Sequence, residues 1–112
     1  MIEANADWQP FGCDILPAPD AVRIACAGEL DLAASEVLSA RVDELLESGP
    51  ARVILDLGGV TFLDSSGLRM VLEARTRAAG RGVPLTVAPG PPPVQRIFEL
   101  THTTELVFGE QH

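Results

Sequence analysis

The chain contains no lysine and no tyrosine. Its basic side chains are eight arginines, set against sixteen acids, for a net charge of −8. An acidic surface repels phosphate backbones and anionic headgroups, which argues against nucleic acid and membrane as partners and suits a basic protein surface. The lack of lysine also removes the P-loop, because no G-x-x-x-x-G-K-[ST] pattern or ammonium is available to meet a phosphate. Aromatics make up only 4% of the residues, so the core must be built from Leu, Val, Ile and Ala. Cys13 and Cys26 are the only cysteines, each inside an apparent strand, and no CxxC or Cys/His spacing suggests a metal site. Buried free thiols are expected, although the spacing alone leaves a disulfide open. No apolar run approaches a membrane span, and "MIEANADWQP" lacks the basic and apolar regions of a signal peptide. The expectation is one cytoplasmic domain of 112 residues, long enough to bury a core.

What is present alternates between strand and helix patterns. "FGCDIL" (11–16) and "AVRIACAG" (21–28) read as strands joined by the turn "PAPD", hence an antiparallel hairpin. "ELDLAASEVLSARVDELLESG" carries Val37, Leu38, Val42, Leu45 and Leu46 at helical spacing and stops at Gly49-Pro50. "ARVILDLGG" reads as a strand buried on both faces, as in a parallel sheet. "GLRMVLEARTRAAGRG" predicts a helix with Leu68, Val71, Leu72 and Ala79 on one face. "VPLTVA" predicts a strand, "PPVQRIFEL" a short helix tolerant of its leading prolines, and "TELVFG" a last strand. The order β-β-α-β-α-β-α-β predicts an α/β fold with a mainly parallel sheet, its first strand antiparallel. The proposed domain spans residues 11–109, with an extension over 1–10 and a tail over 110–112.

Between the third strand and second helix lies "DSSG", Asp64 to Gly67. Such residues cap helices, since their side chains accept bonds from unpaired amides, yet one would suffice. A nucleophilic serine needs a base, and the chain offers only His102 and the terminal His112, with no G-x-S-x-G elbow. A phosphate attached here would meet the free amides and partial positive charge of a helix start. Capping and phosphate acceptance both remain open on the residues alone.

The segment "VILDLGGVTFLDSSGLRMVL" resembles the signature of the anti-sigma factor antagonists, the STAS-domain family. The likeness extends to "GELDLA" (28–33) and "VQRIFELT" (94–101), in the right order and spacing. It implies a single STAS-like domain with helices mostly on one side of the sheet. By that resemblance Ser65 is the phosphoacceptor, and Asp31, Asp64, Ser66, Gly67 and Leu68 form the partner-binding surface. Ser66 is expected to cap or orient, and Gly67 to let a partner's backbone approach. The implied partner is an anti-sigma factor with serine kinase activity that brings ATP and Mg²⁺. This chain would be its substrate and not an enzyme, without a cofactor or metal of its own and monomeric when free. Phosphorylation would switch it off and return the sigma factor to its inhibitor. Relatives of this kind also include non-switching adaptor subunits of transport or stress-signalling complexes, which stands as the alternative reading. Two positions depart from the family pattern: Ala34 where a threonine is frequent, and His102 where glycine is common.

Overall fold

A computed structural model describes residues 10–109; the expected extension up to residue 9 and the tail over 110–112 lie outside the described residues. Strand β1 (Gly12–Pro17) turns through Ala18 to Ala21 into β2 (Val22–Leu30). Helix α1 (Leu32–Glu47), strand β3 (Val53–Leu63), helix α2 (Ser65–Gly80) and strand β4 (Leu85–Ala88) follow in alternation. Helices α3 (Pro92–Leu100) and α4 (Thr104–Phe108) are the last elements among the described residues. The sheet order is β1-β2-β3-β4, with β1 antiparallel to β2 and the remaining pairs parallel. Only four residues join β1 to β2, which suits a hairpin. The parallel pairs need crossovers, and α1 and α2 supply them.

One face of the sheet is buried under the helices. Ile24, Cys26 and Leu30 of β2, Val53, Leu55, Leu57, Val60 and Leu63 of β3, and Leu85 and Val87 of β4 share one core with Leu38, Val42, Val71, Val94 and Phe98. This corrects the reading of β3 as buried on both faces. Ile54 and Asp56 point the other way and are half-buried, and Arg23 Nη1 on β2 meets Asp56 Oδ2 there at 2.7 Å. Parallel strands are covered on both faces where helices lie on both sides of a sheet. Here the helices share one core on one side, and the other face is covered only in part.

Helix α2 is rotated from the expected orientation. Gly67, Met70, Val71, Ala74 and Ala78 are buried, Leu68 and Leu72 lie at the margin, and Ala79 is exposed. Small residues form the inner stripe because they let the helix settle closely onto the sheet and α1. Arg77 then reaches across to α1, donating to Asp43 Oδ1 at 2.6 Å and Ser39 Oγ at 2.9 Å.

The expected last strand is instead helix α4. Val107 N donates to the Thr103 carbonyl at 3.0 Å, and Val107 is buried. Phe108 meets Phe98 of α3 edge-to-face, with ring centroids 5.0 Å apart and planes at 88°. A short apolar run carries no period that separates strand from helix, so this aromatic contact and the exit from α3 decide it. At that exit His102 adopts φ 59°, donating to Glu99 O at 3.1 Å, while Thr103 N donates to Phe98 O at 2.9 Å. These are the two bonds of a Schellman cap. The departure from glycine keeps the turn and places a non-glycine residue in the left-handed region.

Candidate functional site

Helices α1 and α2 both start at the carboxyl edge of the sheet, and they start alike. Asp31 caps α1 in extended conformation, with its carboxylate accepting from Ala34 N at 3.0 Å. Asp64 caps α2 in nearly the same conformation, accepting from Gly67 N at 3.1 Å. Leu30 and Leu63, the residues just before the two caps, are register partners on adjacent parallel strands. Adjacent strands run about 4.8 Å apart, so Asp31 and Asp64 stand side by side although 33 positions separate them. The edge therefore combines two helix N-termini, whose amides carry partial positive charge, with two carboxylates.

Ser65 is the first residue of α2 and is exposed. Among the described residues no side-chain hydrogen bond engages the hydroxyl of Ser65 or Ser66, because Asp64 does the capping. The capping role expected of Ser66 thus belongs to Asp64. Ser66 is half-buried and lines a groove of about 380 Å³ between α1 and α2, together with Leu32, Ser35, Glu36, Arg69 and Met70. Leu68 is half-buried and packs against the core.

Gly67 is buried, and the packing supplies a different reason for it from the one expected. An added Cβ would lie 2.7 Å from the Leu30 carbonyl oxygen and 3.0 Å from the Cγ atoms of Leu30 and Leu63. The close approach it permits is within this chain, where the start of α2 descends between the ends of β2 and β3. Ala34, the matching residue of α1, is buried without difficulty. The neighbouring Ser35 donates from Oγ to the Asp31 carbonyl at 2.7 Å, so the start of α1 is intact without a threonine.

Exposed apolar side chains flank the same edge. Leu32, Val37 and Phe62 are all about half exposed or more. The exposure of Val37 corrects its placement on the apolar face of α1, which is formed by Ala34, Leu38, Val42 and Leu46. Leu32 and Phe62 carry no signal in the sequence, since an isolated exposed hydrophobe is ordinary. Among the described residues no group of His, Cys, Asp and Glu side chains could hold a metal ion, and no helix is long and apolar enough to cross a membrane.

A one-sided, mixed α/β sheet whose capped helix starts line its carboxyl edge defines a small module of a known kind. A family model described as "Mlab, STAS domain" matches residues 16–107, and the chain belongs to the STAS-domain family. BtrV of Bordetella bronchiseptica, named as an anti-sigma factor antagonist, is 32% identical over 83 residues, covering 73% of this chain and 72% of that protein. An anti-sigma factor antagonist from Mycobacterium paratuberculosis has the same fold, with a TM-score of 0.78 at 19% identity over 93% of this chain and 86% of its own. SpoIIAA, an anti-sigma factor antagonist and Bacillus cell-fate determinant, has been solved in both states. Its unphosphorylated form gives a TM-score of 0.68 at 23% identity, over 83% of this chain and 81% of its own. Its phosphorylated form gives 0.64 at 22% identity, over 82% and 83%. At such identities the structures speak for the fold alone.

Proposed function

We propose that this protein is an anti-sigma factor antagonist that works by partner switching and is turned off by phosphorylation of Ser65. The observation that carries the reading is an exposed serine hydroxyl at a helix start whose side-chain cap is already supplied by Asp64. Ser65 is free to change chemically without costing the fold a bond. The names of the relatives support the same reading, and one of them is known in unphosphorylated and phosphorylated forms.

In this reading the partner is a cytoplasmic anti-sigma factor with serine kinase activity. It supplies ATP and Mg²⁺, while this chain, monomeric when free, is its substrate. Residues 11–109 act as the module. Asp31, Asp64, Ser66 and Leu68 present the docking surface, with Gly67 as the pivot beneath it and Leu32 and Phe62 adding apolar contact. The net charge of −8 suits a basic partner through long-range attraction, while the Ser65 edge itself is the part that docking buries. Docking there occupies the anti-sigma factor and sets the sigma factor free for transcription.

A phosphate on Ser65 adds about 1.5 to 2 negative charges beside two carboxylates. The start of α2 tolerates the group, since free amides and the helix dipole favour an anion. The complex does not. In the free protein water screens this repulsion, whereas docking excludes the water. At about 6 Å each unit repulsion then rises from about 0.7 to about 3 kcal/mol as the effective dielectric falls from 80 to 20. A hundredfold loss of affinity requires about 2.7 kcal/mol, which this rise and the cost of burying the phosphate in the interface supply together.

The test is to incubate the protein with a cognate kinase and ATP, locate the phosphate by mass spectrometry, and measure the affinity of variants. Phosphate on Ser65, absent from Ser65→Ala, is expected. Ser65→Asp should bind at least about tenfold more weakly, or 1.4 kcal/mol. Unchanged affinity in Ser65→Asp would sink the charge mechanism. Stable co-purification with a membrane complex regardless of Ser65 would instead favour a non-switching adaptor.

A further inference from the structure

The antiparallel hairpin carries a feature unrelated to the helix starts. Cys13 on β1 and Cys26 on β2 are direct register partners, and both are free thiols. They lie on the same, helix-covered face. Cys26 is 2% exposed, and Cys13 is half-buried and packed against the core.

The hydrogen-bond phase of the hairpin makes the pairing chemically significant. In an antiparallel ladder, bonded and non-bonded pairs alternate. Ala18 N donates to Ala21 O at 2.8 Å, which sets the phase at the turn. Counting back, Leu16–Arg23 and Asp14–Ala25 fall on bonded positions, while Pro17–Val22, Ile15–Ile24 and Cys13–Cys26 fall on non-bonded ones. Proline at a non-bonded position fits this count, because it has no amide hydrogen to donate. Non-bonded pairs bring their Cα atoms to about 4.5 Å, within the span of about 4.4 to 6.8 Å that a disulfide bridges.

We propose that Cys13 and Cys26 form a modification site, a thiol pair that closes reversibly into an intramolecular disulfide on exchange with a low-molecular-weight disulfide such as oxidised glutathione. The Cys13 thiolate attacks one sulfur of the reagent, forming a mixed disulfide and expelling one thiolate. Cys26 then attacks the Cys13 sulfur, closing the protein disulfide and expelling the second. Two electrons pass from the protein to the reagent, and the two thiol protons end on the two released thiols.

Cys13 is the residue that starts the exchange because it is the accessible one. Burial pushes the Cys26 thiol up to about 12, with Cys13 and Asp56 adding to it. Burial raises Cys13 as well, and Asp14 adds to this, while Arg41 of α1 opposes it. The closed bridge would staple an edge strand at the end nearest Asp31. There the chain entering β1 lies so close that an added Cβ on Gly28 would fall 2.3 Å from the Pro10 carbonyl oxygen.

The experiment treats the native full chain with oxidised glutathione, then alkylates it and determines intact mass and tryptic peptides without reduction. Cleavage after Arg23 and Arg41 separates the two cysteines onto peptides 1–23 and 24–41, so a bridge appears as one linked species. The expected product is a monomer lighter by two hydrogens, with both thiols protected from alkylation. Its thermal midpoint should exceed that of the reduced form, and dithiothreitol should reverse all of these changes. Cys13→Ser should give no bridge and retain an alkylation-resistant Cys26. A reaction stopping as a glutathione adduct on Cys13, a dimer joined through Cys13, or two thiols still free under native conditions would each overturn the proposal. So would a bridge that forms only in denaturant.

Discussion

The two long helices begin in the same way and diverge within the first turn. Both run for sixteen residues, both follow a strand of the same sheet, and both are capped by an aspartate whose carboxylate meets the amide three residues on. After the cap, α1 continues Leu32-Ala33-Ala34 and α2 continues Ser65-Ser66-Gly67. Capping therefore accounts for the aspartates and for neither serine. The start of α1 is an internal control for α2. What the second has and the first lacks is two hydroxyls and a glycine, and only the glycine is explained by packing.

The largest effect should come from exchanging the residues three places after each cap. Gly67→Ala gains helix propensity of about 1 kcal/mol. It nevertheless drives a Cβ to 2.7 Å from the Leu30 carbonyl, and overpacking of this kind costs about 1 to 3 kcal/mol. A net loss in urea titration is expected, whereas a Gly67→Ala protein more stable than wild type would break the packing account. The reciprocal Ala34→Gly should cost about 1 kcal/mol through propensity alone.

The caps should be equivalent. Asp31→Ala and Asp64→Ala are each expected to lose about 1 kcal/mol, read from chemical denaturation. Asp64→Asn, which keeps an accepting oxygen, should lose much less. That variant also sharpens the functional contrast. With one carboxylate neutralised, the penalty of Ser65→Asp on partner binding should shrink, whereas a purely steric switch would leave it unchanged.

The smallest expected change in stability is at the residue with the greatest proposed role. Ser65→Ala should stay within about 0.5 kcal/mol of wild type, because the substitution lies on an exposed face and breaks no bond among the described residues. A loss above 1 kcal/mol in that variant would mean that the hydroxyl serves the fold, and the two helix starts would no longer divide structure from function.

Much of this was legible in order along the chain. The alternation of strand and helix from β1 to α3 and the hairpin at "PAPD" are set within a few residues of themselves. Three features were not. The inner face of α2 is chosen by small residues meeting the sheet and α1, so the larger Leu68 and Leu72 moved to the margin although the helical period allowed either arrangement. The last apolar segment is too short to carry a period, and a ring from α3 decides its form. Gly67 looked like a residue left open for a partner, because nothing near it in sequence announces the Leu30 carbonyl beneath it.

Local hydrogen bonding and side-chain period are properties of neighbouring residues, and these the sequence by itself determined: the elements from β1 to α3. Register is a property of strands brought together from a distance. Only the tertiary structure decided that Leu30 pairs with Leu63, which sets Asp31 beside Asp64, and that Cys13 faces Cys26. Both the candidate switch and the thiol pair depend on such pairings, because a one-residue slip of a strand would turn each side chain to the opposite face.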